Sequence, residues 1–162
     1  MIMKVANHQV VMREFPDEIT LALNISGCPN RCEGCHSPQL RDNIGDELST
    51  ELLDQLIQDN PGITCVGFMG GDGRENELFE LAMHVRYQYY DLKTGWYSGC
   101  DSFDSSMLTV FDYIKYGHYN SIKGPLNTQT TNQVFLRIEH DQGIEIHDET
   151  YRFWATDDTN DV

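Results

Sequence analysis

The sequence predicts an α/β fold, an incomplete and open (β/α) barrel built on a mainly parallel sheet. Three observations lead there. Strand-like and helix-like patterns alternate through the first half of the chain, which implies βαβ units. Right-handed crossovers would set the loops that follow these strands along one sheet edge. At 162 residues the chain is too short for a closed eight-unit barrel, which takes about 250 residues.

The elements follow in order. In "ITLALNI" (19–25), Leu21, Leu23 and Ile25 alternate with Ala22 and Asn24, a strand pattern that runs straight into a cysteine-bearing loop. Ser49 and Thr50 can cap a helix whose stripe is Leu52, Leu53, Leu56 and Ile57, and "DNPG" (59–62) stops it. A second strand, Ile63 to Phe68, leads into "MGGDG" (69–73). A helix with Leu78, Leu81, Ala82 and Val85 on one face comes next. "KTGWYSG" (93–99), "VFDYIKYG" (110–117) and "QVFLRIE" (133–139) read as further strands, with a helix expected around Ser102 to Leu108.

Composition narrows the function. A 40% apolar and 10% aromatic content marks a folded chain rather than a disordered one. The net charge of -15 repels phosphate backbones, so nucleic acid is not an expected partner. No apolar run approaches the roughly 20 residues that span a bilayer, and "MIMKVANHQVVMREF" has no signal-peptide stretch. The expected location is the cytoplasm, with no membrane association. The chain reads as one domain, residues 1–155, followed by an acidic tail, 156–162.

Three of the five cysteines lie in "SGCPNRCEGCHSP" (26–38), spaced C-x3-C-x2-C as Cys28, Cys32 and Cys35. A structural zinc site wants four ligands and a catalytic one three plus water. His36 adjoins Cys35, a poor position for chelating the same ion, and Cys65 and Cys100 belong to other segments. A thiol–disulfide pair would need a thioredoxin-like pattern, which is missing. A [4Fe–4S] cluster suits the loop better, because thiolates hold it and three of them leave one iron for another ligand. Gly27, Pro29 and Gly34 allow a tight turn around a bulky cube.

These residues, together with "GGD" after the second strand, resemble the radical S-adenosylmethionine superfamily. That resemblance implies a fold of the radical SAM barrel type. It also implies a [4Fe–4S] cluster on Cys28, Cys32 and Cys35, with S-adenosylmethionine chelating the unique iron. One electron would then cleave the sulfonium to give a 5′-deoxyadenosyl radical. The superfamily usually has an aromatic residue just before the third cysteine. Here Gly34 stands there and the ring follows at His36. In this the loop resembles the activating proteins of anaerobic ribonucleoside-triphosphate reductases. "WYSG" (96–99), "VFDYIKYGHYN" (110–120) and "GPLNTQTTNQVFLRI" (124–138) resemble that branch as well. The resemblance implies that the enzyme installs a glycyl radical on the reductase large subunit, using an external electron donor such as flavodoxin. A different activase, a small-molecule radical enzyme, or a non-catalytic electron-transfer module are the alternatives.

The same resemblance assigns Gly34, Cys35, His36, Gly70, Gly71 and Asp72 to cofactor binding. Gly70 and Gly71 would let backbone approach closely, and Asp72 could accept from the cofactor's ammonium. His36 could stack on adenine or simply flank a turn. Lys115, His118, Asn132 and Gln133 could line the cleft or serve structure, and Cys65 and Cys100 read as ordinary thiols.

Overall fold

A computed structural model describes residues 3–29, 40 and 42–154. The acidic tail expected at 156–162 lies outside the described residues. The chain runs β1 (Lys4–Val11), β2 (Thr20–Ile25), β3 (Asp46–Glu47), α1 (Thr50–Asp59), β4 (Cys65–Met69) and α2 (Glu75–Gln88). It continues with β5 (Lys93–Tyr97), β6 (Tyr113–Tyr116), β7 (Val134–Glu139) and β8 (Glu145–Asp148). All of these strands join one sheet in the order β3-β1-β2-β4-β5-β6-β7-β8.

The expected incomplete (β/α) barrel with a mainly parallel sheet is therefore overturned. The sheet is open and mixed: β2–β4, β4–β5 and β5–β6 pair parallel, while the flanking pairs are antiparallel. The reason is a shortage of helices. A parallel return needs a long crossover, usually a helix, and α1 and α2 are the only α-helices among the described residues. The segment read as a helix around Ser102 to Leu108 forms a 3-10 turn, Ser105–Thr109, capped by Asp104 accepting from the Ser106 N–H (2.9 Å). Between β6 and β7 the chain folds by turns. There the Asn120 side chain accepts from the N–H groups of Ile122 (2.9 Å) and Lys123 (3.0 Å). With no helix to reverse it, β7 comes back antiparallel.

The two faces of the sheet are covered differently. On one, Leu21, Leu23, Val66, Phe68, Trp96 and Ile114 meet the apolar stripes of α1 and α2. Helix α1 starts where the Ser49 hydroxyl accepts from the Leu52 N–H (3.1 Å), and its Leu53, Leu56 and Ile57 are buried. The other face is crossed by a strap, residues 12–19, which drops Phe15 onto the sheet with no exposed surface. Gly67 and Gly95 lie side by side there. A Cβ on Gly95 would stand 2.5 Å from the Phe15 ring and one on Gly67 2.7 Å away, so the paired glycines form the slot that the ring fills.

Around that ring sit Tyr97, Tyr113 and Phe135, with centroids 5.1, 5.6 and 6.2 Å away. Polar ties hold the strap down. Glu18 accepts from Thr64 Oγ1 (2.7 Å) and the Tyr113 hydroxyl (2.6 Å), Asp17 pairs with Arg152 (2.6 Å), and the Glu14 carbonyl accepts from the Tyr97 hydroxyl.

Candidate metal centre

Because β2, β4, β5 and β6 are mutually parallel, the segments that follow them emerge at one sheet edge. Backbone bonds stitch this edge together. Gly70 N–H donates to Tyr97 C=O (3.0 Å), Ser98 N–H to Lys115 C=O (2.8 Å) and Gly117 N–H to Cys100 C=O (2.7 Å). In open α/β sheets, sites form outside these carboxyl ends.

The cysteine loop leaves from β2. Ser26 is buried, and its hydroxyl donates to the Ile44 carbonyl (2.5 Å) while accepting from the Ile44 N–H (3.1 Å). Gly27, at φ +75°, turns the chain. Its N–H donates to Asp42 C=O (3.1 Å), and the Cys28 N–H donates to Leu40 C=O (2.8 Å). The loop is thus closed at its base, and Cys28 is half-buried just inside it. Cys32, Gly34, Cys35 and His36 lie outside the described residues.

Facing this loop is the turn after β4. Gly70 and Gly71 adopt φ +124° and +96°, a left-handed region that side chains disfavour. A Cβ on Gly70 would meet the Ile25 carbonyl at 3.1 Å, so the turn abuts the end of β2. A Cβ on Gly73 would lie 3.5 Å from Pro29 Cγ, so turn and cysteine loop come into direct proximity.

The Asp72 side chain is buried, and its partners are in the next loop along. Ser98 Oγ donates to Oδ1 (2.6 Å), and the Gly99 N–H donates to Oδ2 (2.8 Å). The carboxylate therefore braces the turn after β4 against the turn after β5. The Gly70 carbonyl accepts from Trp96 Nε1 (2.9 Å) and the Gly71 carbonyl from the Arg74 N–H (3.0 Å). Each keeps a second lone pair for a ligand. Ser98, Gly99 and Trp96 were not singled out individually from the sequence. Their available signal was the polar Ser-Gly pair that ends the "KTGWYSG" strand pattern.

The remaining candidates fall at the β6–β7 end of the same edge. The Lys115 ammonium lies over the Tyr97 ring, 4.9 Å from its centroid. His118 Nδ1 is 2.7 Å from Asp101 Oδ1, and this contact, with the His118 backbone N–H, holds the Asp101 carboxyl below its usual range. Asn132 Nδ2 donates to the His118 carbonyl (3.0 Å) and Gln133 Nε2 to that of Gly117 (3.4 Å). Cys100 is half-buried in the loop after β5, its N–H donating to Ser98 Oγ (3.1 Å). Cys65 is a different case. It is sealed at the far end of β4, and burial, then the Glu18 charge, push its thiol well above the ordinary range. A protonated, enclosed thiol is no metal ligand.

Cys28, the one cysteine of the motif among the described residues, is half-buried at this edge beside the Gly70–Gly71 turn, and its N–H is bonded to the Leu40 carbonyl. No helix among the described residues is long and apolar enough to cross a membrane. A family model for the 4Fe-4S single cluster domain matches residues 19–144. No curated protein and no solved structure matched the chain. The family match spans well over half of the sequence and runs from β2 past β7, and on that ground the chain belongs to the 4Fe-4S single cluster domain family and is an iron–sulfur protein.

Proposed function

We propose that Cys28, Cys32 and Cys35 hold a [4Fe–4S] cluster whose fourth iron is left for S-adenosylmethionine, bound beside Gly34, His36 and the Gly70–Asp72 turn. The observation that carries this reading is the proximity of Gly73 to Pro29, which sets a side-chain-free turn against the start of the cysteine loop. Together these groups supply one-electron cleavage of a sulfonium. The chain's part is to hold and orient. Cys28 is fixed by its backbone bond to Leu40, and Asp72 keeps the turn in place through Ser98 and Gly99. Following the motif resemblance, the substrate is the glycine loop of an anaerobic ribonucleoside-triphosphate reductase large subunit, and the electron comes from an external donor such as flavodoxin.

A second reading is a single-cluster electron carrier without catalysis. The family match favours it more directly than the radical reading, since it concerns a cluster domain and no particular chemistry. One experiment separates the two. Anaerobically reconstituted protein is mixed with dithionite, S-adenosylmethionine and the reductase. We expect 5′-deoxyadenosine and a doublet glycyl-radical resonance, both lost in Cys32→Ala. A reducible cluster that yields no 5′-deoxyadenosine identifies the electron carrier. Cofactor cleavage with no radical on the reductase points to another substrate. Iron content should collapse in Cys28→Ala, Cys32→Ala and Cys35→Ala, and persist in Cys65→Ala.

A further inference from the structure

The β7–β8 hairpin carries a second cluster of ligating side chains, separate from the cysteine loop. In its register Glu139 faces Glu145 and Arg137 faces His147, so these side chains share one face. Two carboxylates directly opposite each other repel and destabilise a strand pair unless a cation answers them. His147 Nε2 points between them, 3.6 Å from Glu139 Oε1 and 3.5 Å from Glu145 Oε1. That nitrogen is shut off from solvent and makes no hydrogen bond. One ligand atom from each of the three residues falls within 4.8 Å of the others.

We propose that Glu139, Glu145 and His147 form a mononuclear site for a borderline divalent cation such as Zn²⁺. Bonds of about 2.0–2.2 Å in a tetrahedron put neighbouring ligand atoms about 3.4 Å apart, close to the separations from His147. An imidazole with two carboxylates suits zinc better than calcium or magnesium, which prefer all-oxygen shells. Arg137 donates to Glu139 Oε1, the oxygen that also faces His147, and through Nε to Glu149 Oε2 (2.7 Å), so it holds the ligating carboxylate in place. Bound there, the ion would clamp β8, the edge strand, onto β7.

The rival is a surface ion-pair cluster without metal, in which Arg137 answers Glu139, and metal uptake distinguishes them. Untagged, cluster-reconstituted protein is titrated with Zn²⁺ by calorimetry, with iron assayed before and after to show that the cysteine site is intact. We expect one Zn²⁺ per chain and at least tenfold weaker binding in His147→Ala and separately in Glu145→Gln. No uptake by the loaded protein, or uptake indifferent to both substitutions, overturns the proposal. A failure here leaves the cluster reading untouched, because the iron assay reports that site independently.

Discussion

The two faces of the sheet solve the same problem by opposite means. On the helix face, many aliphatic side chains from α1, α2 and the strands interlock. On the strap face, a loop with no helix of its own covers the strands through one ring and the two glycines beneath it. The first cover is distributed, so deleting any one side chain leaves neighbours to close in. The second is concentrated, and its stability depends on a single fit between ring and slot.

Phe15→Ala should break the strap face most severely, at about 3–5 kcal/mol, because the rigid glycine slot cannot collapse into the void. Chemical denaturation measures this. A cost below about 1 kcal/mol would show that the strap is not the real cover. Gly95→Ala attacks the same fit from below. Its methyl must displace the Phe15 ring or the strand, at about 1–3 kcal/mol. In a double-mutant cycle with Phe15→Ala the two losses should be far from additive, since both report one contact. Additivity would mean that the glycine is needed for some other reason.

The smallest effect sharpens the comparison on the helix face. There Asp54 accepts from His84 Nε2 and the Tyr89 hydroxyl, each at 2.8 Å, bracing α1 against α2. Burial raises the Asp54 pKa, but these two hydrogen bonds outweigh it and hold the carboxyl below its ordinary range. A carboxyl lowered on folding adds stability above its unfolded pKa of about 3.9 and loses it as pH falls through the folded value. The stability gap between the wild type and Asp54→Asn should therefore be widest near neutral pH and vanish in acid. A gap that is constant with pH would assign the effect to packing.

The parallel centre of the fold was legible because Leu21, Leu23 and Ile25, and the stripes of α1 and α2, have the periodicities that burial demands. The outer strands were not. β1 presents Asn7, His8 and Gln9 to solvent, β3 is two residues long, and β8 ("EIHD") is mostly exposed, so none shows clean alternation. The antiparallel return of β7 could have been read from 117–133, a stretch of Gly, Pro, Asn and Thr with no helical period. Phe15 gave little sign of itself in "REFPDE". The glycines in "CVGFM" and "KTGWY" did, since a bare position inside a buried strand marks close approach by something bulky. At the site, the cysteine spacing announced the cluster. The bracing of Asp72 by Ser98 and Gly99 depends on strands meeting across 26 residues of sequence, which no local pattern records.

The two backbone bonds that pinch the cysteine loop at its base, Gly27 to Asp42 and Cys28 to Leu40, also bear on the order of assembly. Closing a loop costs entropy that grows with its length. Neither bond involves a thiol, so closing the base of the loop needs no iron. Because the base is held by backbone bonds alone, stripping iron from the protein should leave the β-sheet standing, ready to be loaded again.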